Sequence, residues 1–229
     1  MAESVITERQ PFSEDVKFRR ASIADLNALV YICRVCFPEY YRWQSLVPVG
    51  RKWWKVVLES EASQIWVVED SKGIFAFNVL VLDLELWKAE SKARNGSLMF
   101  RLLAPLCCPF PTVWRRLWKV ALVRVTTRKT VIHNVKKRSS ERIAWSEMIG
   151  VLPRLRRKGM SSWLLRATNQ KLREAGANTI ETHIDSDNVP SRRMHEKMGY
   201  VLISEDLRGC LYRKSLVDVV RQSRDDAKN

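Results

Sequence analysis

Six consecutive residues, Arg156-Arg157-Lys158-Gly159-Met160-Ser161, carry the most chemically suggestive spacing in the chain. Three cations and a glycine run directly into a helix-like pattern, which describes a place where an anion can be held. Glycine lets the backbone turn sharply and approach a ligand closely. The helix that follows offers N–H groups with no intrahelical partner and the positive end of its dipole. Together these favour phosphate. A solvated basic loop ahead of a helix would show the same residue types, so the six residues alone leave both readings open. They lack the Gly-Lys-Ser/Thr ending of a Walker A loop and the further glycines of a dinucleotide fingerprint.

The flanking elements decide how such a loop is held. Arg142 to Leu152 reads as a strand, with Ile143, Trp145, Glu147 and Ile149 on one face. Ser161 to Ala175 reads as a helix that Gly176 ends. Upstream, Val16 to Arg20 alternates like a strand, and Ser22 with Asp25 signals a helix carrying Leu26, Leu29, Val30 and Ile32. Pro48 to Ala62 forms a second helix around Trp53 and Trp54. Gln64–Glu69 and Gly73–Leu86 form a hairpin turning at Asp70–Gly73. Downstream come a strand (Thr179–Asp185), a short helix capped by Asp187 or Asn188 and ended by Gly199, and a last strand pair, Val201–Glu205 and Cys210–Lys214. The fold class expected is α/β (α+β), with helices around one sheet. One domain would span residues 16–216, between a flexible tail (1–15) and a polar tail (217–229).

Residues 88–140 interrupt this order. They carry 13 of the 40 Lys/Arg and a single acid, Glu90, so a chain of net charge +15 concentrates +12 in one segment. The remainder is nearly neutral. An anionic partner is therefore expected at the segment. Trp114, Leu117, Trp118, Ala121, Leu122 and Val125 recur at helical spacing, with Arg115, Arg116, Lys119 and Arg124 largely off that stripe. With the proline-broken apolar run before it, the pattern in 98–125 suits the surface of an anionic membrane. It equally suits a lid packed over an acceptor site. Nucleic acid fits less well, because large apolar residues interleave the cations.

Other classes drop out. The run Leu102–Trp114 is 13 residues long and holds three prolines, too short and too broken to span a bilayer. The N-terminus has no apolar stretch of the signal-peptide kind. Cys33 and Cys36 have no second Cys pair or His cluster, so no metal is expected. Reduced, buried thiols suit a cytoplasmic chain, at the inner face of a membrane if the basic segment docks there.

A second segment gives the first its meaning. Asn188-Val-Pro-Ser191-Arg-Arg-Met194-His195-Glu-Lys197-Met-Gly199-Tyr200 resembles the Asn-x-x-Ala-x-x-Leu-Tyr-x-Lys-x-Gly-Phe segment of the GNAT (Gcn5-related N-acetyltransferase) superfamily. Arg156-x-x-Gly159-x-Ser161 is similar to that family's Arg/Gln-x-x-Gly-x-Gly/Ala loop, with Ser at the last small position. The resemblance covers residues 16–216 apart from the insert, which falls between the third and fourth strands. It implies a GNAT-type mixed sheet and acetyl-CoA as co-substrate, with no metal. Ile149, Gly150 and Val151 would face the pantetheine amides. Arg156, Arg157, Lys158, Gly159, Met160, Ser161 and Ser162 would hold the pyrophosphate, and Asn188 would lie near the pantetheine arm. A primary amine would attack the thioester directly. Glu147 is the candidate base, on the expectation that burial raises its pKa. His195 stands where the family has the Tyr assigned as acid, and an imidazolium could donate a proton there. A non-catalytic CoA or acyl-CoA binder, and a transferase of longer acyl chains, remain as alternatives. A homodimer is compatible with the resemblance. The acceptor is left unnamed, with a membrane-bound or anionic amine favoured by the insert.

Overall fold

The computed structural model describes residues 15–38, 47–94, 142–206 and 209–217. The tails and the amphipathic stretch 98–125 lie outside them. The elements run β1 (Lys17–Arg20), α1 (Leu26–Cys36), α2 (Val47–Glu59), β2 (Ser63–Asp70), β3 (Gly73–Val81), α3 (Leu84–Arg94), β4 (Ile143–Val151), α4 (Met160–Glu174), β5 (Thr179–Ile184), α5 (Val189–Lys197), β6 (Val201–Asp206) and β7 (Gly209–Ser215). The seven strands form a mixed sheet flanked by helices, in the order β1-β2-β3-β4-β5-β7-β6. Two compact units divide the chain. One comprises Met1–Leu103 with Ser146–Thr168, the other Ala104–Trp145 with Asn169–Asn229.

In the first unit, β2 and β3 pair antiparallel from Ser63↔Val81 to Asp70↔Gly73. The turn is set by the Asp70 carboxylate, which accepts from the Lys72 N–H at 2.8 Å. β3 is buried almost throughout, as expected of a strand covered on both faces. Helix α1 packs Leu29, Ile32 and Cys33 inward, all at most 1% exposed. β1 joins β2 with Lys17 opposite Glu69. The Arg19 guanidinium then forks to two carboxylates, Asp25 at 2.8 Å and Glu69 at 2.7 Å. Arg19 holds the Asp25 carboxyl down at about 2.

The hairpin reading is corrected at one end. The second strand stops at Val81, and a helix starts at Leu84. The alternation of Leu82, Leu84 and Leu86 imitates a strand, but the Asp83 carboxylate accepts from the N–H groups of Glu85 (3.0 Å) and Leu86 (2.9 Å) and so caps α3. The second unit is built on antiparallel pairs of β7 with β5 and with β6. Cys33, Cys36 and Cys210 are buried thiols. Among the described residues no helix is long and apolar enough to cross a membrane.

Candidate functional site

β4 leads into the cradle, and its interior is pinned by polar bonds. Ser146 donates to Asn78 Oδ1 (3.1 Å), and Asn78 Nδ2 donates to Thr168 Oγ1 (2.9 Å). Thr168 in turn donates to Leu164 O at 2.8 Å. All three side chains are buried, so the chain of donors ties β3, β4 and α4 together inside the core. With Ser146 facing inward, strand alternation sends Glu147 the other way, and Glu147 is exposed. The burial expected of Glu147 is therefore not what the fold provides. Gly150 is buried against Phe77: a Cβ on it would lie 2.4 Å from that ring. Its role is close approach of β4 to β3, a use of strand glycine that sequence can suggest but not aim.

Beyond Val151, the Leu152 N–H donates to Phe75 O at 2.9 Å, and Pro153–Leu155 make one 3-10 turn. Arg157 then takes a left-handed φ of 61°, and Gly159 follows at 79°. Left-handed residues ahead of a helix turn successive N–H groups toward one point, a concavity suited to an anion. The first bond into the helix is Trp163 N–H to Gly159 O at 2.9 Å, so the N–H groups of 159–162 precede the ladder. Arg156, Arg157, Lys158 and Gly159 are exposed, and Ser161 and Ser162 are half-buried. Met160 differs, at 1% exposure, packing with Val68, Phe75, Ala76, Val151, Trp163 and Leu164. It anchors the first turn of α4 and can offer a ligand only its backbone. Ile149, Leu152 and Leu155 pack against the same cluster. A Cβ on Gly159 would meet nothing within 4 Å, so that glycine is needed for its backbone angle alone.

The Arg156 guanidinium is engaged by the protein's own backbone carbonyls. Its Nε donates to Val151 O at 3.0 Å and a terminal nitrogen donates to Cys36 O at 3.3 Å. Burial pushes the Cys36 thiol up, while Arg156 beside it draws it down.

In the second unit, Asn188 caps α5 by accepting the Ser191 N–H at 3.3 Å, and its side chain is exposed. His195 is buried, at 2%. It is neither a surface group nor an imidazolium. Nδ1 lies 2.8 Å from Ser191 O, a carbonyl that can only accept, so Nδ1 carries the proton. Nε2 is buried without a hydrogen-bond partner. Burial lowers the His195 pKa below its ordinary value. A neutral ring with its proton on Nδ1 presents a bare Nε2, which does not favour the expected acid role. Tyr200 packs edge-on to His195 with ring centres 5.0 Å apart and donates to Asn169 at 3.1 Å. It is core packing.

A mixed sheet whose fourth strand feeds a left-handed basic turn and a helix is a fold shared with solved N-acetyltransferases. Residues 120–200 match the sequence model of the Acetyltransferase (GNAT) family. The PaiA N-acetyltransferase of Thermoplasma acidophilum, solved in complex with coenzyme A, superposes at a TM-score of 0.56 with 11% identity, over 87% of this chain and 98% of that one. The ribosomal-protein-S18-alanine N-acetyltransferase of Escherichia coli gives 0.52 and 11%, over 90% and 97%. The protein named SsHAT gives 0.59 and 17%, over 89% and 100%. At such identities the likeness is one of fold. No curated protein matches the sequence.

Sequence reasoning missed Arg157's left-handed backbone, the engaged Arg156 side chain and the Asn78 network. Only Asn78 left a trace, as a lone amide within the apolar run Ile74–Val81.

Proposed function

We propose that the chain is an N-acetyltransferase that moves an acetyl group from acetyl-CoA to a primary amine by direct attack in a ternary complex. The observation that carries this reading is the left-handed pair Arg157 and Gly159 set ahead of α4. It provides an anion cradle at the place where the family's loop motif falls. In the reading, the N–H groups of 157–162 and the cations of Arg157 and Lys158 hold the pyrophosphate. Ile149, Gly150 and Val151 offer backbone to the pantetheine arm, and Asn188 lies near it. Holding thioester and amine together supplies most of the acceleration. Glu147, exposed on β4, takes a proton from the acceptor's ammonium, directly or through water, and the free amine then attacks the thioester carbonyl. His195 is given no donor role, so the departing thiolate takes its proton from water. The acceptor is an amine on an anionic or membrane-associated molecule, a choice supported by the +12 charge of segment 88–140.

The test is release of free CoA thiol from acetyl-CoA across a panel of amines, with calorimetric titration of CoA alongside. Turnover with at least one amine is expected. CoA binding without turnover across the panel would favour the second reading, a CoA-binding module, to which the buried neutral His195 lends support. Absence of CoA binding ends both.

A further inference from the structure

Arg156 is the first cation of the basic loop, yet its guanidinium is turned away from the left-handed turn that follows. Nε donates to Val151 O, at the end of β4, and a terminal nitrogen donates to Cys36 O, in the last turn of α1. The two carbonyls are 115 residues apart in sequence. Cys36 O is a helix's C-terminal carbonyl, which its own helix leaves short of a donor and where the dipole favours a cation. A planar fork can serve two diverging acceptors at once, which an ammonium on a flexible stem cannot do with the same geometry. The Cys36 thiol lies beside the same guanidinium.

We infer that Arg156 is a positioning residue that clamps the end of β4 to the C-terminus of α1 and so holds the left-handed turn at Arg157 in place, rather than a ligand of the pyrophosphate. Within the basic triplet the work is divided: Arg157 and Lys158 face the ligand, and Arg156 fixes the frame. The inference rests on the CoA reading for its consequence, but the clamp exists without ligand. It separates geometry from charge. Arg156→Lys keeps the charge and loses the fork, whereas Lys158→Gln loses charge and keeps the frame.

The experiment titrates CoA calorimetrically into wild-type, Arg156→Lys and Lys158→Gln at low and high salt. Arg156→Lys is expected to weaken binding about tenfold, a 1.4 kcal/mol loss, with the salt dependence of wild-type. Lys158→Gln is expected to weaken binding and flatten the salt dependence, because a screened charge has been removed. Wild-type affinity in Arg156→Lys overturns the clamp. Amide hydrogen exchange of the apo proteins gives a readout independent of CoA: residues 157–162 should exchange faster in Arg156→Lys, with β2 and β3 unchanged as proof of folding. If wild-type does not bind CoA, the acyltransferase reading falls while exchange still judges the clamp. Unchanged exchange at 157–162 overturns it. Should Arg156→Lys fail to fold, nitrogen-labelled arginine spectra of wild-type decide: the Arg156 Nε–H should be protected and unmoved by CoA, and a ligand-induced shift as large as that of Arg157 overturns the proposal.

Discussion

Two neighbouring backbone angles make opposite demands, and a paired substitution tests whether the cradle depends on them. Gly159 sits at φ 79° with open space where a Cβ would be, so Gly159→Ala adds no clash and only conformational cost. A left-handed L-residue costs about 1–2 kcal/mol. Less the roughly 0.5–1 kcal/mol that a stiffer unfolded chain returns, the variant should lose up to about 1.5 kcal/mol of stability, or relax the turn and lose a comparable CoA affinity, up to about tenfold. Arg157 already bears this cost at φ 61°. Arg157→Gly relieves about 1–2 kcal/mol in the folded state and gives back about 0.5–1 through the freer unfolded chain. Its stability should therefore be unchanged or up to about 1.5 kcal/mol higher, while CoA binding is expected to fall because a cation of the proposed cradle is gone. Urea unfolding of the apo protein gives the first quantity and calorimetric CoA titration the second. A Gly159→Ala protein with wild-type stability and affinity, or an Arg157→Gly protein that is clearly destabilised, would refute the reasoning that the turn is a strained, preformed anion site.

Other outcomes follow from particular contacts. Gly150→Ala drives a methyl into the Phe77 ring at 2.4 Å and should cost about 1–3 kcal/mol, partly restored in a Gly150→Ala/Phe77→Leu double variant measured by urea unfolding. Asn78→Leu leaves Ser146 without its buried acceptor and should cost about 1–3 kcal/mol, again by urea. Glu147→Gln should lower kcat while leaving the CoA affinity alone; unaltered kcat at saturating substrate removes Glu147 from the chemistry. For His195 the folded pKa is lowered from 6.5 by burial. Above that value neither state is charged. As pH falls below it the unfolded chain takes up a proton that the folded ring refuses, so stability declines on acidification with a slope of up to about 1.4 kcal/mol per pH unit. His195→Phe should flatten that part of the stability–pH curve, and an unchanged curve contradicts the buried neutral assignment.

How much of this was legible in the sequence varies with the kind of interaction. Strand and helix positions around the cradle were legible because alternation and helical spacing are local: Arg142–Leu152 was expected as a strand and β4 runs Ile143–Val151. Leu84 and Leu86 misled because the same local alternation continues past a strand end, and only the Asp83 cap distinguishes the two. The cradle's location was legible from its glycine and cations. The division of labour among those cations was not, because Arg156 finds its partners on α1 and on β4, and no local pattern reports a pairing across 120 positions. His195 was misread for a related reason. The resemblance implied an imidazolium there, while the burial that disfavours its charge comes partly from Tyr212, on β7, which reaches it only through tertiary packing.

The outermost strands have a further consequence, for how the protein behaves when crowded with copies of itself. A terminal strand offers unpaired amides to any chain that passes, and a long apolar one invites stacking into fibres. β1 is four residues long and three of them are Lys17, Arg19 and Arg20, so another copy meets like charge. The Arg19 fork also ties the strand to Asp25 and Glu69, leaving it little freedom to peel away. β6 carries exposed Val201, Leu202 and Ile203, but its pairing is interrupted between Leu202 and Ser204 and it ends in Glu205 and Asp206. One border of the sheet is guarded by charge and brevity, the other by a kink and two acids, so stacking through either edge is discouraged by the strands themselves.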